Sequence, residues 1–145
     1  MAVYLDISSE PSRNAYRLLS ELADAQRIQL AVRQLPLADV HQLSLPAAEA
    51  LEAAAAQGKF FELLDLLANS QPKAETELLE LANRYAGDSG RLQPEAAVER
   101  YRASVANQIR QATASGTHAV PAIFIDGTHY NGPITRDNLH RALRR

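Results

Sequence analysis

Strand signals in this chain sit only at its two ends, and that separation restricts its possible folds more than any other feature. Val3 to Ile7 is a short apolar run consistent with a buried strand. Ser8, Ser9, Glu10, Pro11 and Ser12 follow as a strand-to-helix turn, with Pro11 suited to a first helical turn where its missing N–H costs little. Ala15, Leu18, Leu19, Leu22 and Ala23 recur at three- and four-residue spacing and predict a helix with one apolar face. Ile28, Leu30 and Val32 alternate with Gln29, Ala31 and Arg33, the period of a strand. Strand, helix and strand with short connections make a right-handed parallel βαβ unit. At the far end, Pro121 to Ile125 reads as a strand and Thr128 to Tyr130 as its return. Asp126-Gly127 joins them, the pair that a type I′ turn prefers because both central residues need positive φ. Gly132-Pro133 breaks the pattern, and Thr135 caps a last helix carrying Leu139 and Leu143.

The middle is helical. Pro46 opens an alanine-rich helix that Gly58 closes. Phe60 to Asn69 forms the next, ended before Pro72. Leu78, Leu79, Ala82 and Tyr85 mark a third, followed by Gly87 and Gly90. Pro94 starts a long fourth helix with Val98, Tyr101, Val105, Ile109 and Ala112 on one stripe, closed by Gly116. The expectation is one α/β domain over 1–145: a βαβ half (1–35), a helical insertion and return helix (44–116), and a ββα half (119–145). Both β segments share one mixed sheet if the intervening helices pack as a cap.

Composition narrows the chemistry. The chain has no cysteine, which excludes a disulfide framework, a thiolate metal site and a thiol nucleophile, and leaves the compartment open. A formal charge of −2 predicts no electrostatic grip on nucleic acid. The basic cluster Arg136, Arg141, Arg144 and Arg145 reads as the solvated face of a terminal helix. No secretory signal and no membrane span are visible, so the chain as given is expected to be soluble. His41, His118, His129 and His140 show no metal-ligand spacing, so no metal is expected. The 6 glycines are isolated at turns and caps and form no phosphate loop.

Four segments in this order resemble the DsbA-like proteins, whose thioredoxin fold carries a helical insertion. They are Asp6 to Tyr16, Leu35 to His41, Gln57 to Glu62, and Ser115 to Gly127, and the likeness covers nearly the whole chain. The resemblance places Ser9 and Ser12 at the two positions of the family's Cys-x-x-Cys motif, around Glu10-Pro11. It also places Pro121 at the family's cis-proline, which exposes the backbone of the residue before it, here Val120, for strand-like pairing with a peptide. The implied function is a redox-inactive domain that binds a peptide or partner protein between Ser9, Glu10, Pro11, Ser12 and Val120, Pro121, without a cofactor. One alternative is a glutathione-dependent transferase or isomerase of the kappa-class type, with the Ser9 hydroxyl holding the cofactor's thiolate. Another is a thiol–disulfide oxidoreductase whose cysteines have been replaced at Ser9 and Ser12. The family also implies a possible place in a larger membrane protein, because such domains occur fused behind membrane antiporters.

Each candidate has a plainer reading. Ser9 and Ser12 at a helix start suit capping of orphan backbone N–H groups. Glu10 is favoured by the helix dipole and would repel an anionic ligand. His118 lies three residues before Pro121 and is a candidate acid or base, but no second acid is spaced to orient it. Asp6, inside an apolar strand, is expected to bond backbone at the strand's end.

Overall fold

The computed structural model describes residues 1–85 and 95–144, with backbone alone over 95–100. Gly87, Gly90, Pro94, the Val98 side chain and Arg145 lie outside the described residues. The elements run β1 (Ala2–Leu5), α1 (Glu10–Gln26), β2 (Ala31–Gln34), α2 (Ser44–Ala56), α3 (Phe60–Ser70), α4 (Glu75–Asn83), α5 (Glu95–Ala114), β3 (Ala122–Ile125), β4 (Thr128–His129) and α6 (Arg136–Leu143).

Four strands form one mixed sheet in the order β2-β1-β3-β4. β1 runs parallel to β2, with Val3 opposite Val32, and antiparallel to β3, with Val3 opposite Ile123. The chain's two ends therefore meet in the middle of the sheet, as the expected α/β, thioredoxin-like architecture requires. The β3–β4 turn has Asp126 at φ 51° and Gly127 at φ 79°, the two positive angles of a type I′ hairpin. The Thr135 hydroxyl accepts from the Asn138 N–H at 3.3 Å and caps α6.

β3 starts at Ala122 rather than Pro121 and β4 ends at His129 rather than Tyr130, and two strand boundaries differ from the expectation by more than one residue. β1 stops at Leu5 rather than Ile7, because Asp6 turns the chain: its N–H donates to Ser12 Oγ (3.2 Å), and its carbonyl accepts from Ser9 N–H (2.9 Å). β2 begins at Ala31 rather than Ile28. Arg27 closes α1 in the left-handed region at φ 56°, and Ile28 N–H still bonds back to Ala23 O (2.9 Å).

Val3, Leu5 and Ile123 sit in one core with Tyr16, Leu19 and Leu22 of α1 and Leu139 of α6. The core continues without a break into the helical cap through Leu51, Leu63, Leu64, Leu67 and Leu78. Each fully buried leucine contributes roughly 1.5–3 kcal/mol. Helix α2 is buried almost all round, through Ala47, Ala48, Ala50, Leu51, Ala53 and Ala54, and packs against α3, α4 and α5.

Polar contacts tie the cap to the sheet half. The Tyr16 hydroxyl of α1 donates to Asp65 of α3, and Arg17 reaches the Ala68 carbonyl and Asn69. At the outer edge of β2, the backbone N–H of Gln34 donates to Gln108 Oε1 of α5 at 2.7 Å. Gln108 in turn donates to Glu52 of α2 at 3.0 Å. Arg136, Arg141 and Arg144 are exposed, with Arg136 paired to Glu21 across the surface. Among the described residues, no helix is long and apolar enough to cross a membrane.

Candidate functional site

The turn between β1 and α1 is organised from below by one buried carboxylate. Asp6 is only 2 % exposed. Its Oδ1 accepts from Ser8 N–H at 3.0 Å, and its Oδ2 accepts from Leu37 N–H at 3.0 Å and from the Ser44 hydroxyl at 2.7 Å. The expected backbone bonding at the strand's end is present, and it extends to two further segments, the loop after β2 and the start of α2. Ser44 as a partner was not foreseeable, because nothing local in the sequence marks a hydroxyl 38 residues away.

Ser9 stands at the N-cap position of α1, and its carbonyl accepts from Arg13 N–H at 3.0 Å. Its hydroxyl makes no capping hydrogen bond, which corrects the capping reading. The extended backbone at Ser9 (φ −88°, ψ 129°) has cap geometry without the side-chain contribution. Ser9 is 6 % exposed and Ser12 is 0 % exposed. Ser12 is no cap either: its Oγ is committed to the Asp6 N–H. Glu10 and Pro11 form the exposed lip of the turn, with Glu10 in the first helical turn where the dipole favours an acid.

Val120 and Pro121 lie just before β3, joined by a cis peptide bond, and both are half-buried. Tyr4 pairs with Ala122, so one step further along the same register sets Pro121 beside Leu5, where β1 runs out toward Asp6 and Ser9. The first turn and the proline loop thus share one end of the sheet. Among the described residues, no hydrogen bond within the fold uses the backbone N–H or carbonyl of Val120.

His118 meets this arrangement on its Pro121 side. It is exposed and lines a cleft of about 550 Å³ together with Thr117, Pro121, Phe124, His129 and Tyr130. None of Ser9, Glu10, Pro11 or Ser12 lines that cleft. His129 packs against the Phe124 ring at 5.2 Å, whereas His41 belongs to a different cleft. Among the described residues, no three His, Asp or Glu side chains are placed to hold a metal ion.

A mixed four-stranded sheet, a βαβ start, a ββα finish, a helical cap between them and a proline loop beside the first helix define a DsbA-like thioredoxin-fold domain, here without the dithiol. The chain belongs to the thioredoxin family, whose family model, described as Thioredoxin, matches residues 10–145. It is similar to the Na(+)/H(+) antiporter NhaA 3 of Salinispora tropica, at 35% identity over 84% of this chain and 19% of that protein. The chain spans only 18–23% of the length of the curated relatives it matches. Among solved structures, it is similar to a thioredoxin-like oxidoreductase from Silicibacter pomeroyi, with a TM-score of 0.78 at 23% identity over 99% of this chain and 83% of that one. It is also similar to the DsbA disulfide interchange protein of Klebsiella pneumoniae, with a TM-score of 0.63 at 14% identity over 88% and 72% of the two chains. At these identities the structural likeness establishes the fold alone.

Proposed function

We propose that this chain is a redox-inactive thioredoxin-fold domain that binds an extended peptide segment of a partner protein beside the Val120–Pro121 loop. The observation that carries the reading is the backbone of Val120, which has no hydrogen-bond partner among the described residues and lies half-exposed at the same end of the sheet as the lip formed by Glu10 and Pro11. An extended segment laid there gains main-chain hydrogen bonds to Val120, with the lip setting preference at its side chains. Glu10 favours a segment carrying a cation. Ser9 borders the contact, and Ser12 supports it from beneath through Asp6. Thiol–disulfide exchange requires a thiolate and a disulfide partner, and the chain contains no sulfur except that of its 1 Met. The antiporter-named relatives support a setting in which this domain is one part of a larger membrane protein and its ligand is a segment of that protein or of a regulator.

The test is a peptide-display selection against the full chain, followed by amide NMR titration with the recovered sequence. Binding is expected to shift the amides of Ala119, Val120 and Ala122, and Glu10→Lys is expected to weaken it. Insulin reduction is expected to stay at the uncatalysed rate, and glutathione to leave these amides unmoved. The reading fails if no recovered peptide moves the amides of the 119–122 loop.

A further inference from the structure

The loop that follows β4 is latched by its own tyrosine. The Tyr130 hydroxyl donates to the Pro133 carbonyl at 2.7 Å. The Tyr130 ring lies directly on Gly132, where an added Cβ would stand 2.6 Å from Oη and 2.8 Å from Cζ, closer than a real Cβ comes. Glycine is therefore required at 132 by close approach rather than by a positive φ. The residue before it is Asn131, and no other asparagine of the chain precedes a glycine.

Both members of this pair are uncommitted. Asn131 is exposed, and among the described residues its carboxamide makes no hydrogen bond and the N–H of Gly132 finds no acceptor. Asn14, Asn69 and Asn138, by contrast, each hold a hydrogen bond through the side-chain amide. A side-chain amide carbon and the backbone nitrogen of the next residue can close a five-membered ring. With no Cβ on that next residue, nothing of its own shields the nitrogen, and its backbone turns easily. The latch thus excludes every residue type that would slow this closure.

We infer that Asn131 is a modification site, deamidated without an enzyme by its own neighbour. The Gly132 nitrogen gives up its proton to base and attacks Asn131 Cγ. The new N–Cγ bond closes an imide, the Cγ–Nδ2 bond breaks, and the departing nitrogen takes up a proton and leaves as ammonia. Water then opens the imide at either carbonyl, giving an aspartyl or an isoaspartyl residue. The net change is ammonia exchanged for water, with nothing oxidised or reduced. The new carboxylate falls in the cleft of about 550 Å³ that Asn131 lines with His118, Pro121 and His129, where among the described residues no Asp or Glu lies. The isoaspartyl form also lengthens the main chain by a methylene inside the Tyr130–Pro133 latch. The chemistry needs no ligand, so it stands or falls apart from the peptide reading at Val120.

The test ages the full chain at mildly alkaline pH and follows intact mass and peptide maps. The expected result is a gain of about one mass unit confined to the peptide that carries Asn131, in both aspartyl and isoaspartyl forms. The gain is expected to slow at mildly acidic pH, because the Gly132 nitrogen must lose its proton first. Asp126-Gly127 does not imitate the signal, since an aspartate that cyclises loses and regains water with no change in mass. Asn131→Gln leaves the latch untouched and offers only a less favourable six-membered ring, so the gain is expected to disappear. A chain that keeps its mass while a synthetic peptide of residues 128–135 converts would show that the fold shields the pair, and would overturn the inference. So would a gain that maps equally to other asparagines, one that persists in Asn131→Gln, or no gain in either chain or peptide.

Discussion

Two carboxylate oxygens of Asp6 serve three donors from three segments: Ser8 N–H, Leu37 N–H and the Ser44 hydroxyl. Removing the acceptor leaves the buried Ser44 hydroxyl and two part-buried N–H groups without partners, at about 1–3 kcal/mol for each one that stays buried. Asp6→Ala is therefore expected to destabilise the chain by roughly 3 kcal/mol, read as a lower urea midpoint. A loss under about 0.5 kcal/mol, the size of an ordinary surface substitution, would show that this carboxylate does not organise the turn. The residue is visible in the sequence as an acid inside an apolar run, and its backbone bonding at the strand's end follows from that position. What the sequence does not display is the long-range share of the work. Ser44 stands 38 residues away, and its hydroxyl meets Asp6 only after the cap has folded.

Between elements, the contact of α1 with α3 depends on the Tyr16 hydroxyl and Asp65. Burial first, and then the hydrogen bond to Asp65, push the Tyr16 phenol above its ordinary range near 10. The folded chain therefore holds this proton more tightly than the unfolded chain does. That contribution is complete below pH ~10 and is lost as pH rises further, once the unfolded phenol ionises. Tyr16→Phe is expected to cost about 1 kcal/mol at neutral pH and to flatten the fall of stability above pH ~10, measured by urea titrations at a series of pH values. An equally steep alkaline fall in the variant would show that another group drives it. The elements themselves were legible where their cause is local. Asp126-Gly127 announces its hairpin, and Thr135 its cap. Strand limits were not, because β1 ends where Ser12 takes the Asp6 N–H and β2 is delayed by Arg27 in a left-handed conformation unusual for arginine. The proline loop and the first turn were both named from sequence, whereas the burial of Ser12 and the absence of a Ser9 side-chain cap depend on packing alone.

At the scale of the whole molecule, the chain closes its sheet with material from both termini and inserts every cap helix between them. This arrangement leaves β2 as an outer strand, and an outer strand invites a second polypeptide to add itself alongside. The amide of Gln108 occupies the outward N–H of Gln34, so part of that margin is already spoken for by the chain's own helix. Gln108→Ala removes the plug without touching the sheet. The variant is expected to self-associate with rising concentration in sedimentation runs where the parent stays monodisperse. A side chain with no part in ligand contact would then be what keeps neighbouring copies from zipping together.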